Sequence, residues 1–174
     1  MTRRWLLVLL LAVTLPAAAS VPEVLKITDN WQRWGSGEMS WFGHRLYRAT
    51  LWVGGAAATI DAAPHALTLE YRRAIDRERL VSTSLDEMQR LGASEAQLLR
   101  WGKALRQLFP AVREGETITG VHVPGVGARF YHQSRHLGDI DDADFARFFF
   151  AIWLDPRTRA SELRTALLRR PDGG

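Results

Sequence analysis

The segment spanning residues 139–170 constrains the fold more strongly than any other part of the sequence. Apolar residues recur there at positions i, i+3, i+4 and i+7, and a second apolar stripe covers much of the opposite side of the same helix. The two stripes consist of Phe145, Phe148, Phe149 and Ile152 and of Ala146, Phe150, Trp153 and Leu154. A helix that is apolar on most of its sides is buried. The sequence therefore predicts a core helix over residues 142–154.

The ends of this helix carry residues with defined roles. Asp141 is expected to cap it by accepting a backbone N–H, and Asp142 and Asp144 place negative charge on the first turn, where the helix dipole favours it. Asp155-Pro156 ends the helix, because the residue before a proline avoids the helical region. A short amphipathic helix from about Ser161 to Leu168 follows.

Two-residue periodicity marks the strands in the rest of the chain. The clearest strand is His44–Val53. Tyr47 and the residues at 49, 51 and 53 point to one face, and Arg48 and the residues at 46, 50 and 52 point to the other face. Gly35-Ser36-Gly37 predicts a turn or bulge within a strand over Trp31–Trp41. The other expected strands are Val21–Ile27, the weak Ala58–Ala62, Ala66–Ile75, Thr117–Val123 and Ala128–His136, with a hairpin at Pro124–Gly127.

Two capping boxes predict helices in the middle of the chain. Ser84 and Ser94 are each followed three residues later by an acid or an amide. They are expected to start helices over about 85–91 and 95–108. Strands, helices, strands and helices then succeed one another. This order, with hairpin-joined strands, predicts an α+β fold in which an antiparallel sheet is covered on one face by a helical layer.

The N-terminus has the pattern of a secretory signal peptide. Two arginines precede an apolar run, Trp5–Leu15, and Ala17–Ala19 supply small residues for cleavage. The alternative is an N-terminal membrane anchor, but the run is shorter than the ~20 residues that span a bilayer. Residues 1–20 are therefore expected to be a signal peptide, cleaved on either side of Ser20. Residues 21–174 are expected to form a single periplasmic domain without a stable membrane anchor.

Composition limits the classes of partner. The chain has no cysteine, which excludes disulfides and lipoprotein attachment. Its net charge of +4 falls to +2 once the two arginines of the signal peptide are removed. Basic residues are interspersed with acidic ones, as in Glu70–Arg73. Nucleic-acid binding requires a patch of one sign, and the sequence predicts no nucleic-acid partner.

Histidines and aspartates cluster late in the chain without the pattern of a metal site. His122, His132 and His136 are followed by four aspartates between residues 139 and 144. Metal ligands must converge on one point, yet His132 and His136 would stand ~13 Å apart along a strand. The aspartates lack the glycine and the terminal glutamate of a calcium loop. The sequence predicts neither a metal nor another cofactor.

Other catalytic patterns are also weak. Gly125-Val126-Gly127 lacks the third glycine and the following helix of a dinucleotide loop, so it indicates a hairpin turn. The chain has no cysteine nucleophile and no G-x-S-x-G motif. Glu38 and Glu70 qualify as general bases only if the fold buries them. Exposed strand carboxylates are the more common case.

The C-terminal third carries a family resemblance. The run Asp139–Phe145, the segment FFFAIWLDP and the segment LRTALL resemble the C-terminal signature of bacterial chalcone isomerase-like proteins. The similarity extends from about Trp34 to Arg170. It implies an open-faced β-sandwich with a ligand cleft between the sheet and the helical layer. The family includes isomerases, fatty-acid-binding relatives and members of unknown role.

The same resemblance argues against isomerase chemistry. In the catalytic members, an arginine two residues after a G-x-G turn stabilises the enolate-like charge, and Met39 occupies that position here. The family's threonine falls near Tyr47, and its tyrosine and asparagine fall near Arg77 and Ser84. A cation at the oxyanion is usually the largest electrostatic contribution to such a reaction, and methionine cannot supply it.

A binding pocket remains as the main hypothesis. Met39, Trp41, Tyr47 and Tyr71 are expected to line an apolar cleft. At its mouth, an arginine is expected to pair with a ligand carboxylate. The candidates are Arg48, Arg77 and Arg79. In the competing interpretation, the aromatic residues are ordinary core and the arginines a solvated face.

Three functions remain open at this point. The first is an exported, non-catalytic protein that binds a small apolar or fatty-acid-like ligand. The second is an isomerase- or lyase-type enzyme of the same fold with an unidentified substrate. The third is an interaction subunit without a small-molecule pocket, which would be favoured if Phe148, Phe150 or Trp153 filled the cleft.

Overall fold

The computed structural model describes residues 22–25, 30–55, Ile60 and 63–170. The expected signal peptide, and all of the weak strand Ala58–Ala62 except Ile60, lie outside the described residues. A 3-10 turn, Glu23–Leu25, occupies part of the expected first strand, so the strand prediction is wrong there. None of the helices in the described residues is long and apolar enough to cross a bilayer.

Six antiparallel strands form one sheet in chain order, and four helices lie on one of its faces. The expected α+β fold is confirmed. The strands are β1 Trp31–Trp41, β2 His44–Gly54, β3 His65–Tyr71, β4 Thr117–Val123, β5 Gly127–His132 and β6 Arg135–Ile140. The helices are α1 Arg77–Arg90, α2 Glu95–Leu108, α3 Ala143–Leu154 and α4 Ser161–Leu167.

The aromatic helix α3 is the centre of the core, as predicted. It packs on β4 and β5, and Phe145 and Phe149 contact the fully buried ring of Phe130. The cap is Asp142 rather than the expected Asp141, because the Asp142 carboxylate accepts the Phe145 N–H at 2.9 Å. The same carboxylate accepts the indole N–H of Trp101 at 2.9 Å, which ties α2 to the start of α3.

Helix α1 begins earlier than the sequence predicts. Asp76 caps it by accepting the Arg79 N–H at 2.7 Å, so the helix starts at Arg77. Ser84 lies inside the helix, where its hydroxyl donates to the Leu80 carbonyl at 2.9 Å. The expected cap at Ser84, with a helix from about residue 85, is therefore wrong. The second capping box is confirmed, since Ser94 and the N3 residue of α2 satisfy each other's backbone N–H groups.

The last predicted strand is divided in two. A turn at Gln133-Ser134, in which Gln133 has φ 56°, separates β5 from β6. The two-residue alternation in the sequence continues across this turn, because the residues on both sides of it belong to strands of the same hairpin. Strand β3 is also shorter than expected, since it ends at Tyr71.

The Gly35-Ser36-Gly37 segment lies within β1 and has a structural role. The register of β1 against β2 shifts between Arg33 and Gly35, which is the predicted bulge. Helix α4 packs directly on this part of β1. A side chain at residue 35 would overlap the backbone of Ala166 and Leu167, so the close approach of α4 requires glycine.

Candidate functional site

A cleft of about 710 Å³ opens between the sheet and the helical layer. Its volume lies within the range of about 300–1,000 Å³ typical of small-molecule sites. It occupies the part of the sheet where β2 begins and β3 ends, below α1 and beside α3. The apolar wall residues are Met39, Leu46, Leu69, Ile75, Leu80, Phe109, Ile118, Phe149, Ile152 and Trp153.

Three residues on adjacent strands form a row across the floor of the cleft. Met39 on β1 pairs with Tyr47 on β2, and Tyr47 pairs with Tyr71 on β3. The tyrosine rings meet edge to face with centroids 6.0 Å apart. Residues directly opposite one another in a sheet share a face. The alternation read from the sequence therefore brings these three side chains together.

Both tyrosines are neutral over the physiological pH range. Burial raises the pKa of Tyr47 to about 12, with a further contribution from the Glu87 charge and an opposing one from the Trp153 hydrogen bond. The Trp153 indole N–H donates to the Tyr47 hydroxyl oxygen at 2.9 Å, which leaves the Tyr47 proton free to be donated. Burial, and then Tyr47, raise the pKa of Tyr71.

Tyr71 lines the cleft, and its hydroxyl has no hydrogen-bond partner among the described residues. The residue is only 3% exposed. Buried hydroxyls normally have a partner. The Tyr71 O–H is therefore a donor available to whatever occupies the cleft.

The rim of the cleft carries charge. The exposed Arg73 and Arg79 line it. Neither guanidinium forms an ion pair within the described part of the chain. Glu87 also lines the cleft, but it is held by Arg90 at 2.8 Å and Arg159 at 3.0 Å. The rim therefore presents two arginines that have no ion-pair partner among the described residues.

Two of the candidate arginines lie elsewhere. Arg48 follows Tyr47 and points to the opposite face of the sheet, where its guanidinium donates to Ser36 at 3.1 Å and lies 3.7 Å from Glu38. It lines a separate recess of about 330 Å³ on that face. Arg77 uses its Nε–H to bind the Phe109 carbonyl at 2.7 Å. The cleft therefore brings together five of the seven predicted residues. They are Met39, Trp41, Tyr47, Tyr71 and Arg79.

Several lining residues were not singled out from the sequence. Phe149 and Trp153 were assigned to the core helix, and each presents one edge to the cleft. Arg73 lies in the connection after β3, where no periodic sequence pattern predicts the direction in which its side chain points. Phe42 lies in a tight turn between two strands, and the position of that turn was the signal that could have identified it.

The histidines and carboxylates considered above have structural partners. Within the described residues, no group of three or more potential metal ligands converges. His132 pairs with Glu116 at 3.0 Å, and His136 pairs with Asp139 at 2.6 Å. Glu38 and Glu70 are not buried bases, because both form ion pairs with the partly exposed Arg72. Residues 124–126 form the β4–β5 turn, as predicted.

Comparison with known proteins agrees with this architecture. A family model described as chalcone isomerase-like matches residues 29–169. The chain belongs to the chalcone isomerase-like family. No curated protein sequence matches the chain. Among solved structures, a fatty-acid binding protein of Arabidopsis thaliana is similar in fold, with a TM-score of 0.63 and 12% sequence identity over 82% of this chain and 88% of that one.

Membership of the chalcone isomerase-like family confirms the resemblance seen in the C-terminal segments. Met39 and Tyr47, which stand where the catalytic members are expected to carry an arginine and a threonine, face each other across β1 and β2 on the cleft floor. Ser84 also lines the cleft. Arg77 does not, so the sequence alignment at that position corresponds to a residue outside the cleft lining.

Proposed function

We propose that this protein binds a small apolar ligand with one carboxylate end, such as a fatty acid, in the cleft and performs no chemistry on it. One observation carries the proposal: an open apolar cleft whose rim presents two arginines without ion-pair partners in the described residues. The fatty-acid binding protein that shares the fold supports the same ligand class.

The charges determine the orientation of the ligand. A carboxylate placed deep in the cleft would meet neutral hydroxyls and the nearby Glu87 charge, and an uncompensated buried charge is costly. At the rim, Arg79 and Arg73 can donate charge-assisted hydrogen bonds to it. The apolar tail then lies inward, over the Met39, Tyr47 and Tyr71 row. A tail that carries a hydroxyl or a carbonyl would find a donor in Tyr71.

Catalysis has little support from the cleft residues. The hydroxyls of Ser82 and Ser84 donate to carbonyls within α1, and that of Thr158 donates to the Ile152 carbonyl. Glu87 is held by two arginines. Proton transfer requires a group of suitable pKa within reach of the reacting atom. The two tyrosines have raised pKa values, so both stay protonated near neutral pH and neither is available as a base.

An interaction subunit without a pocket is disfavoured by the packing of α3. Trp153 forms a wall of the cleft through its bond to Tyr47 and does not fill the space. Phe148 packs against Trp101, and Phe150 packs against His65, away from the cleft. The aromatic residues that would close the pocket are used elsewhere in the core.

The direct test is mass spectrometry of lipids that co-purify with the protein, followed by displacement of a fluorescent fatty acid. Bound lipids of one class, displaced with micromolar affinity, are expected. Failure of all medium- and long-chain fatty acids to displace the probe, or failure of the probe itself to bind, would contradict the proposal. Arg48→Ala is the matched control for substitutions of Arg79, because it removes an exposed arginine from the opposite face.

The proposal extends to the compartment. Residues 1–20 direct export, and the processed chain acts in the periplasm. N-terminal sequencing of exported material should begin at Ser20 or Val21. An intact Met1 on the exported material would contradict this part of the proposal without affecting the ligand assignment.

A further inference from the structure

An exposed aromatic pair forms the tip of the β1–β2 hairpin. Phe42 is 87% exposed and Trp41 is 54% exposed, and their rings meet edge to face with centroids 5.2 Å apart. Both side chains line the mouth of the cleft. Single exposed apolar residues need no explanation, but an adjoining pair at the mouth of an apolar cleft indicates an interaction site.

The turn is unfavourable for the residue that it presents. Phe42 has φ 47° and Gly43 has φ 77°, so both turn residues are left-handed. Turns of this kind favour asparagine, aspartate or glycine at the first position, and an aromatic residue there is strained. Because the Phe42 ring is in solvent, its packing does not compensate for the strain. Backbone strain at a residue that has no packing role, such as Phe42, indicates a functional role.

The hairpin also protrudes from the sheet. Backbone pairing beside β2 ends where the Arg72 N–H donates to the Leu46 carbonyl at 2.8 Å, so the hairpin continues beyond its neighbour. From Leu46 to Gly43 the chain advances ~10 Å. Interfacial side chains penetrate about 5–10 Å into the headgroup and acyl boundary, which a tip of this length can reach.

The chemistry of the tip selects one class of partner. Two side chains are far too few for a stable protein interface, which buries about 800 Å² on each partner. Tryptophan is instead enriched at the interface between lipid and water, and phenylalanine is typical of interfacial anchors. The size and composition of the tip therefore favour a lipid surface over a second protein.

Cationic side chains surround the tip. Arg73 and Arg79 line the same mouth, and Arg45 follows the turn on β2; all three are exposed. No ion pair involves any of them in the part of the chain that the structure describes. Of the three acids among the described residues of this rim, Asp76 caps α1, Glu87 is paired with Arg90 and Arg159, and Asp86 is exposed. Lipid phosphates would find partners beside the aromatic pair.

We infer that the β1–β2 tip docks on a phospholipid bilayer, with Trp41 and Phe42 in the interfacial layer and the arginines at the phosphates. The mouth of the cleft then opens onto the membrane, where an apolar ligand is collected or released. The identity of that ligand rests on the proposed function. Docking itself does not require the ligand and is tested separately.

The test is flotation of the exported, processed protein with vesicles of phosphatidylethanolamine and phosphatidylglycerol, or of phosphatidylcholine alone. The test variant is Trp41→Thr/Phe42→Asn, because asparagine suits the turn and threonine suits the strand end. The control is Leu99→Ser, which removes an apolar side chain that is 78% exposed on α2 and does not line the cleft. Thermal unfolding verifies that all variants are folded.

Wild type and Leu99→Ser are expected to float with vesicles. The double variant should partition at least about tenfold more weakly, as expected when two interfacial anchors are removed. Equal flotation of wild type and double variant, or no flotation of wild type with either composition, would overturn the inference. A dimer of the wild type that the double variant abolishes would overturn it in favour of self-association.

Fatty-acid displacement in solution separates this inference from the proposed function. Docking without fatty-acid binding would support the lipid surface and contradict the ligand assignment. Fatty-acid binding without docking would support the ligand assignment and contradict the inference that the tip docks on a lipid surface. Stronger flotation with phosphatidylglycerol supports the role of the arginines, and equal flotation with both compositions overturns that role.

Discussion

Acidification should weaken the fold through His65, which the core holds in the neutral form. His65 is buried, and its ring packs against that of His122 with centroids 4.5 Å apart and an interplanar angle of 34°. Its Nδ1 lies 3.1 Å from the Ala63 carbonyl, so Nδ1 carries the proton. Its Nε2 is buried without a partner in the described residues. Burial, and then the neighbouring His122, lower the pKa of His65 to about 4.

The sign and size of the effect follow from linkage. An unfolded histidine has a pKa of about 6.5, so between that value and about pH 4 the unfolded chain binds a proton at residue 65 that the folded chain does not. Protonation therefore favours unfolding, and the free energy of unfolding falls as the pH falls through this window. The loss attributable to His65 is about 2 kcal/mol at pH 5 and about 3 kcal/mol near pH 4.

The assay is urea denaturation at pH 7 and pH 5, followed by tryptophan fluorescence. The variant His65→Phe removes the titrating group and keeps an aromatic ring beside Phe150. The control, His44→Gln, removes an exposed histidine. Between pH 7 and pH 5, wild type and control should lose about 2 kcal/mol more than His65→Phe. Equal losses in all three would refute the reasoning, because His65 would then be protonated in the folded state.

Three further predictions test the core, the rim and the floor of the cleft. Phe149→Ala should lower the free energy of unfolding by about 3–5 kcal/mol, and a loss under about 1 kcal/mol on denaturant titration would show that α3 is not central. Arg79→Ala should weaken fatty-acid affinity about twofold to fivefold, the modest effect expected of one exposed cation, while Arg48→Ala leaves it unchanged in the same displacement assay. Neither wild type nor Met39→Arg should accelerate the ultraviolet decay of a 2′-hydroxychalcone above buffer, because a lone arginine lacks the partners that would fix its rotamer. Clear wild-type turnover would contradict that assignment.

The helix α3 was predictable because its signal is redundant. Eight apolar residues in two stripes exclude any exposed arrangement, and the proline after it limits its length. The start of α1 was not predictable in the same way. Ser84 and Glu87 satisfy the capping-box pattern, but the same spacing also occurs inside helices, and Asp76 supplies an earlier cap. Local patterns cannot choose between two possible starts when both are compatible with the helix.

The wrong start of α1 also affected the prediction of the candidate site. If Ser84 caps α1, nothing in the sequence indicates that Arg79 lines the cleft and Arg77 does not. With the observed start, Arg77 turns back to the Phe109 carbonyl and Arg79 lines the cleft. The position of Arg48 could have been predicted, because strand alternation places it on the face opposite Tyr47. The volume of the cleft depends on how the helices are spaced on the sheet, which no local pattern encodes.

The spacing of the helices explains how an open cleft coexists with a close-packed core. Helix α4 packs on β1 and β2, where Gly35 and Gly37 admit its close approach, and α3 packs on β4 and β5. The start of β2 and the end of β3 lie between these two contacts. Helix α1 reaches this region by packing on α2 and α3, so it roofs the space without filling it.

The hydrogen bond from Trp153 to Tyr47 holds the boundary between core and cleft. It joins the last turn of α3 to the sheet at 2.9 Å, at a point where both side chains line the cleft. Phe149 contributes to both regions, because it packs against Phe130 in the core and also lines the cleft. Because the cleft is already open beside Met39 and Tyr71, the proposed ligand could enter it without displacing α3.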